Sequence, residues 1–164
     1  IGLLIAGFET TIGLIGNGVR CLIEHPDELA RLRRDPSLIE AAVDECLRFD
    51  GPIFLTPRIL HADAEFGGKT IPKNTMVWAL LASANRDPDV FERPDQFDID
   101  RPHNRHLSFG AGVHRCVGSN LARLQVRVAV EQLMVRLSPF RISDGGVIEY
   151  VSDQAPWAFR ASWP

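Results

Sequence analysis

The feature that most constrains the fold of this chain is a glycine-rich segment that carries one cysteine and leads into a long helix. Residues 109–118 read Phe-Gly-Ala-Gly-Val-His-Arg-Cys-Val-Gly. A helix N-terminus carries partial positive charge and free N–H groups, which favour a thiolate over a thiol. The segment therefore predicts a sheltered thiolate at Cys116, in the first helical turn, of the kind that an axial metal ligand requires. The alternative is a buried cysteine beside a helix cap.

The rest of the pattern predicts a mainly α-helical chain with small β-sheets, an α+β fold. Apolar spacing and prolines at first-turn positions predict helices at residues 1–24, 26–34, 37–49, 79–86 and 118–137. Short β segments at 57–78 are separated by Gly-Gly and Pro-Lys-Asn turns, and further short strands are expected in 140–164. Residues 87–115 have few periodic apolar positions, and a loop of that length is typical of a functional segment.

Two of the predicted helices have unusual compositions. The helix at 1–24 contains five glycines, which indicate a close approach of another group to its backbone or a local distortion. The helix at 118–137 has apolar residues on more than one face, which predicts that it is buried.

Composition excludes several classes of protein. Hydrophobic residues make up 45% of the chain, charged residues 24%, and the net charge is −3, which argues against a disordered chain or a nucleic-acid binder. Cys21, Cys46 and Cys116 form no Cys-x-x-Cys pair, which indicates reduced thiols in the cytoplasm, or one thiol with a functional role, rather than a disulfide scaffold. The apolar stretch 1–16 is interrupted by Glu-Thr-Thr and is too short for a bilayer, so no membrane is expected.

The cysteine segment resembles the haem-binding loop of cytochrome P-450, the haem-thiolate monooxygenases. Every position of the pattern Phe-Gly-x-Gly-x-His-x-Cys-x-Gly is filled. The resemblance implies that haem b is held by Phe109, Gly110, His114, Cys116 and Gly118. Cys116 would be the thiolate ligand of the iron, where electron density from sulfur favours O–O cleavage, and His114 would donate to a haem propionate.

A second constellation is Glu45 and Arg48, whose spacing of three residues places them on one helix face. Most pairs of this kind lie on a solvated surface. Beside the cysteine loop, however, the pair is similar to the Glu-x-x-Arg helix of the same family, which implies that Arg101 completes a buried cluster. We expect these three residues to serve structure and haem retention rather than the reaction.

The third constellation lies in the first helix, where residues 6–11 read Ala-Gly-Phe-Glu-Thr-Thr. A threonine hydroxyl can bond the carbonyl four residues back and distort a helix. A helix cap or a solvated polar patch explains the hexapeptide equally well. The hexapeptide is similar to the family's oxygen-activating helix, which implies that Glu9 and Thr10 relay protons during dioxygen activation.

Four further residues receive roles from the resemblance. Arg58 matches a position where relatives place an arginine against a haem propionate, with an exposed strand arginine as the alternative. Ala6, Phe54 and Trp157 are candidate substrate contacts, although apolar residues at these places suit a core equally well.

The resemblance spans the chain in family order, so we expect residues 1–164 to be the C-terminal portion of a single cytochrome P-450 domain, from the oxygen-activating helix to the C-terminus, with the N-terminal portion absent. It implies a cytoplasmic monooxygenase that inserts one atom of O2 into a small apolar substrate. Electrons would come from a ferredoxin or flavodoxin-type donor with its reductase. Arg105 and Arg115 are either ordinary surface charge or part of a basic face for that donor.

Two alternatives to that function remain. The first is a truncated, non-catalytic haem-binding fragment of such an enzyme. The second is a peroxide-using relative, which ranks last because the Glu-Thr pair is retained.

Overall fold

A computed structural model of the protein describes residues 2–137. The helices of this part are α1 (Gly2–Glu24), α2 (Pro26–Arg34), α3 (Ile39–Asp50), α4 (Leu81–Ala84) and α5 (Ser119–Arg136). The strands are β1 (Thr56–Ile59), β2 (Ala64–Phe66), β3 (Lys69–Ile71) and β4 (Met76–Ala79). Short 3-10 turns occupy Pro36–Leu38 and Gly112–His114. The mainly helical fold with small sheets that the pattern predicts is confirmed for these residues.

The core lies where α1, α3 and α5 pack against one another. The buried apolar side chains come from one stripe of each helix and from the loop segment around Phe97 and Ile99. A Cβ added at Gly18 of α1 would lie 3.4 Å from Cys46 Sγ, so α3 lies close to the α1 backbone at this point. The close approach that the glycines of α1 predict is therefore present at Gly18. At Gly7, nearer the start of α1, nothing lies within 4 Å of the added Cβ.

The β segments form two separate antiparallel pairs. β1 pairs with β4 in the register Thr56↔Ala79 to Ile59↔Met76, and β2 pairs with β3. Gly67 and Gly68 join β2 to β3 with φ of +55° and +75°, a turn that suits the twist of a hairpin. The short β segments expected between residues 57 and 78 are confirmed as strands.

Several helix boundaries differ from the sequence expectation. α2 begins and ends as predicted because Pro26 sits in its first turn, and basic residues in its last turn complement the helix dipole. The next helix starts later than predicted: Asp35 accepts from Ser37 N, which favours a 3-10 turn before α3 begins at Ile39. α4 is shorter than predicted, and the long stretch before α5 is irregular apart from the turn Gly112–His114. The strands expected in residues 140–164 lie outside the described residues.

The expectation of a buried C-terminal helix is wrong for the described part of the chain. α5 buries only Ser119, Val126 and Val130, whereas Leu121 and Leu124 are exposed. The helix contacts α1 and α3, whereas Val128 and Val135 on its remaining surface are exposed as well. Apolar residues on several faces of α5 predict burial only if other helices or strands cover those faces.

α1 is longer than the apolar stretch considered from the sequence, because it continues to Glu24. By length and apolar composition alone, α1 could cross a membrane, and core helices of soluble proteins share these two properties. In this structure it packs against α2, α3 and α5. Thr11, Asn17 and Cys21 are buried on its packed face.

Candidate functional site

One cavity of about 560 Å³ lies between α1, the segment 52–58, the loop 107–116 and the first turns of α5. Its walls are mainly apolar. Ala6, Gly7 and Thr10 of α1 lie on its wall, as does Cys116. The structure therefore gathers residues from opposite ends of the described sequence around one space.

The cysteine loop owes its shape to two glycines in the left-handed region. Gly110 has φ of +67° and Gly112 has φ of +59°, conformations that residues with a Cβ rarely adopt. A Cβ at Gly110 would also lie 3.0 Å from the carbonyl oxygen of His114. The loop closes on itself because Cys116 N donates to the carbonyl oxygen of Phe109 at 2.8 Å.

Cys116 lies just before α5 rather than in its first turn, because the helix begins at Ser119 with Gly118 as its N-cap residue. The prediction of a helical, sheltered sulfur is wrong on both counts, since the side chain is exposed and opens onto the cavity. The two other thiols are buried. Burial raises the pKa of Cys21 to about 12 and that of Cys46 well above its usual value, so neither is an available thiolate.

Most of the remaining loop and strand candidates line the same cavity. Phe109, Gly110, His114 and Gly118 lie on its wall. Arg58 reaches it from β1, where its Nη1 donates to Thr56 Oγ1 at 3.0 Å and to the carbonyl oxygen of Pro57 at 2.7 Å. These bonds hold a guanidinium at the edge of an otherwise apolar space.

On α1, the structure separates the two members of the acid–alcohol pair. Thr10 lies on the cavity wall, and its Oγ1 donates to the carbonyl oxygen of Ala6 at 2.6 Å. Glu9 is exposed and is not among the described residues that line the cavity. α1 is assigned as continuous helix through this point. The structure places Phe54 outside the lining as well, whereas Ala6 belongs to it; Trp157 lies outside the described residues.

Glu45, Arg48 and Arg101 form one buried ion cluster. Arg48 donates two hydrogen bonds to the Glu45 carboxylate, from Nε to Oε2 at 2.8 Å and from Nη2 to Oε1 at 2.7 Å. Arg101 Nε lies 3.2 Å from each oxygen. The side chains of Glu45 and Arg48 are fully buried, which distinguishes the pair from the solvated alternative.

The cluster ties the irregular loop to α3 through backbone carbonyls. Arg48 donates to the carbonyl oxygens of Asn85, Pro94 and Gln96 at 2.8, 2.8 and 3.0 Å. Arg101 donates to those of Gln96, Glu92 and Arg93. Because a loop without periodic structure has few backbone partners of its own, these bonds fix its path.

Sequence reasoning missed the polar residues that complete this scaffold. Asn104 Nδ2 donates to Glu45 Oε2 at 3.1 Å. Asn85 Nδ2 donates to Ser108 Oγ at 2.8 Å, and Ser108 Oγ donates to the carbonyl oxygen of Leu47 at 2.6 Å. No local pattern marks these asparagines, since their partners are 23 to 59 residues away.

Sequence reasoning also missed the cavity residues of α5, which are Leu121, Ala122 and Gln125. Their spacing from Gly118, at three, four and seven residues, is the helical stripe that continues the cysteine loop. That signal was present in the sequence.

Two histidines without assigned roles, His25 and His106, have structural partners. His25 packs between the rings of Phe49 and Phe97, and its Nδ1 lies 2.7 Å from the carbonyl oxygen of Cys21. His106 lies near Asp44 and Phe109. Within residues 2–137, no three histidine, cysteine or carboxylate residues are grouped to hold a metal ion.

Comparison with known proteins identifies the family. The family model described as cytochrome P-450 matches residues 1–147. The chain is 48% identical over 142 residues to the biotin biosynthesis cytochrome P-450 of Bacillus subtilis, which covers 87% of this chain and 36% of that protein. It is 51% identical over 132 residues to the vitamin D(3) 25-hydroxylase of Pseudonocardia autotrophica, covering 80% and 33%. The chain thus spans about a third of the length of these relatives.

Solved structures agree with the sequence comparison. P450BioI, in complex with an acyl carrier protein ligated to hexadec-9Z-enoic acid, matches with a TM-score of 0.89 and 45% identity over 96% of this chain and 40% of its own. CYP109E1 of Bacillus megaterium, in complex with testosterone, matches with a TM-score of 0.92 and 33% identity over 97% and 44%. With a family match over most of its residues and this structural agreement, the chain belongs to the cytochrome P-450 family.

Proposed function

We propose that this chain is the C-terminal portion of a haem-thiolate monooxygenase, from the oxygen-activating helix onward, and that Cys116 would hold the iron of haem b through its sulfur. The observation that carries the proposal is the cavity on which Cys116, Arg58, His114 and Thr10 converge. Belonging to the cytochrome P-450 family supports it. The reaction is insertion of one atom of O2 into a small apolar substrate.

The residues present fit a haem. A flat, apolar macrocycle with anionic side groups needs apolar walls, one donor atom for its iron and polar partners at its edge. The cavity has mainly apolar walls, and Cys116 presents an exposed sulfur to it. Arg58 and His114 are the candidate partners of the propionates, and the open space above Gly7 leaves room at α1.

When bound, the haem supplies the redox chemistry with dioxygen, and the protein supplies orientation and electrostatics. The loop's own task is to hold Cys116 Sγ in one position. It does so through the bond from Cys116 N to the Phe109 carbonyl and through the two left-handed glycines. Glu45, Arg48 and Arg101 hold the irregular loop that precedes the cysteine loop, because the two arginines donate to its backbone carbonyls.

Proton delivery to the cavity falls to Thr10. A hydroxyl has one proton to donate and two lone pairs. In the structure the Thr10 hydroxyl donates to the Ala6 carbonyl at 2.6 Å. To relay a proton it would leave that bond, release its proton to an acceptor in the cavity and take a replacement from solvent on an Oγ1 lone pair. Glu9 lies next to Thr10 on the exposed side of α1, where it can exchange protons with solvent.

The substrate and partner proposals rest on chemistry and on the relatives. Mainly apolar walls favour an apolar substrate, and solved relatives hold a fatty acyl chain on a carrier protein or testosterone. A ferredoxin or flavodoxin-type donor with its reductase supplies the electrons. The three free thiols are consistent with a reducing, cytoplasmic location, and we assign no membrane or nucleic-acid partner.

The decisive measurement is the carbon monoxide difference spectrum of the haem-loaded, reduced protein. A strongly red-shifted Soret band is expected, because the Cys116 thiolate would hold the iron. A band typical of histidine-ligated haem would overturn the assignment of Cys116. A thiolate band without product formation in the presence of electron donors would favour the alternative, a non-catalytic haem-binding fragment.

Thr10→Ala is expected to divert electrons from product to hydrogen peroxide while haem stays bound. Product formed per electron should fall roughly 10- to 100-fold, since a positioned proton donor contributes at least that much. The measurement is product and peroxide yield per NAD(P)H consumed. Thr10→Ser, which keeps the hydroxyl, should restore coupling, and Thr10→Val should not. Unchanged product yield in Thr10→Ala would contradict the relay.

A further inference from the structure

Asp44 stands one residue before Glu45 on α3 and belongs to a separate set of contacts. Arg123 Nε of α5 donates to Asp44 Oδ1 at 2.6 Å. His106 Nε2 lies 3.5 Å from the same oxygen. Both partners come from the elements that flank the cysteine loop, so the carboxylate joins the two sides of that loop.

The orientation of the His106 ring follows from its other nitrogen. Ser108 N donates to His106 Nδ1 at 3.3 Å, so Nδ1 is an acceptor and the ring proton resides on Nε2, facing Asp44. Burial opposes ionisation of Asp44, but hydrogen bonds from His106 and Arg123 and the charge of Arg123 outweigh it and lower its pKa. The carboxylate is therefore charged and neutralises Arg123 at neutral pH.

Phe109 connects this pair to the candidate iron ligand. The Arg123 guanidinium lies 4.7 Å from the centre of the Phe109 ring, within cation–π range, and the His106 ring centre lies 5.8 Å from it. The carbonyl oxygen of the same Phe109 accepts the N–H of Cys116 at 2.8 Å. One residue thus contacts the cation through its ring and the cysteine through its backbone.

We propose that Asp44 is a positioning residue for the Cys116 thiolate: by neutralising Arg123 and orienting His106, it keeps an uncompensated positive charge away from the sulfur. The inference rests on the proposed function. A cation next to the loop would draw electron density onto the sulfur and away from the iron, and a haem with a poorer donor is easier to reduce. Asp44 therefore keeps the reduction potential low.

The test is the reduction potential of the haem-loaded protein in a cycle of charge variants. Asp44→Asn removes the negative charge and keeps the shape, so the potential should rise. We expect about a tenfold change in the ferrous-to-ferric equilibrium, which is about 59 mV for one electron. Arg123→Gln should lower the potential, and the double variant should return close to the unsubstituted value. Asp44→Glu, which keeps the charge, should behave like the unsubstituted protein.

A matched control lies one helical turn further along the same two helices. Glu40 Oε1 accepts from Arg127 Nη1 at 2.8 Å, and neither residue contacts Phe109 in the described structure. Glu40→Gln and Arg127→Gln make the same charge changes at a greater distance from the loop. They should leave the ferrous-to-ferric equilibrium essentially unchanged, because this pair lies a helical turn further from the loop and Glu40 is 78% exposed, so that solvent and salt screen its charge.

The carbon monoxide spectrum distinguishes a failure of the proposed function from a failure of the role proposed for Asp44. If the unsubstituted protein lacks the thiolate band, the proposed function fails and this inference fails with it. If every variant keeps the band but the four potentials coincide, the function stands and the role of Asp44 is refuted. Equal shifts of the same sign in both single variants would indicate loosened packing of the loop and would also refute a charge effect.

Discussion

Glu45→Gln is expected to lower the free energy of unfolding by about 3–5 kcal/mol, the cost of leaving buried charges without their partner. The glutamine amide keeps the shape of the side chain but turns an NH2 group toward the donors of Arg48, Arg101 or Asn104. The measurement is urea unfolding followed by far-ultraviolet circular dichroism. Against a typical domain stability of about 5–15 kcal/mol, a loss of this size is readily detected.

The electrostatics of the cluster explain why the loss should be large. One carboxylate faces two guanidinium groups, so the buried cluster has a surplus positive charge even when it is intact. Arg48 and Arg101 also donate to backbone carbonyl oxygens, and the partial negative charge of these oxygens partly offsets the surplus positive charge. Without Glu45, these neutral dipoles alone would have to stabilise two buried cations.

Two further variants grade the effect. Asp95→Asn is the matched exposed change, since Asp95 pairs with Arg86 at 2.9 Å but is 87% exposed, and it should cost less than about 1 kcal/mol. Asn104→Ala removes one neutral donor from Glu45 and should cost about 1 kcal/mol. A Glu45→Gln variant no less stable than Asp95→Asn would show that the cluster does not hold the loop.

The sequence predicted those parts of the fold that depend on local chemistry. α2 has proline, acidic and basic residues at the positions that begin and end a helix, and its bounds were predicted without error. The hairpin of β2 and β3 follows from its two glycines. The proximity of Glu45 and Arg48 follows from helix geometry alone.

Long-range placement was not predictable in the same way. The partners of Arg48 in the irregular loop lie 37 to 48 residues away, and a loop without periodicity gives no indication of which carbonyls meet the guanidinium. The apolar residues of α5 predicted burial, but composition does not determine how many elements cover a helix. Asn85, Ser108 and Asn104 were missed for the same reason.

The different placement of Glu9 and Thr10 could have been predicted from the sequence. Adjacent residues on a helix point about 100° apart, since 3.6 residues complete a turn. The cavity residues Ala6, Gly7, Thr10 and Thr11 form one stripe of α1, and Glu9 falls outside that stripe, so the structure places Thr10 but not Glu9 on the cavity wall. The division into a solvent-side acid and a cavity-side alcohol follows from α1 being helical at this point.

Cys116→Ser is expected to abolish the thiolate-type carbon monoxide spectrum of the haem-loaded protein. An alcohol remains protonated at neutral pH and is a poor donor to iron, whereas a thiolate is the nucleophile and metal ligand that cysteine provides. The substitution changes one exposed atom at the edge of the cavity, so the fold should be retained. The measurement is the reduced, carbon monoxide-bound spectrum together with far-ultraviolet circular dichroism.

Cys21→Ala is the matched control, because it also removes a thiol but from the core of α1. It should lose some stability, about 1 kcal/mol for a small cavity, and keep the thiolate band in whatever protein remains folded. Loss of the band in Cys116→Ser alone, with circular dichroism unchanged, assigns the sulfur. Persistence of the band in Cys116→Ser would refute Cys116 as the ligand, because one of the two buried thiols would then have to supply the thiolate despite its raised pKa.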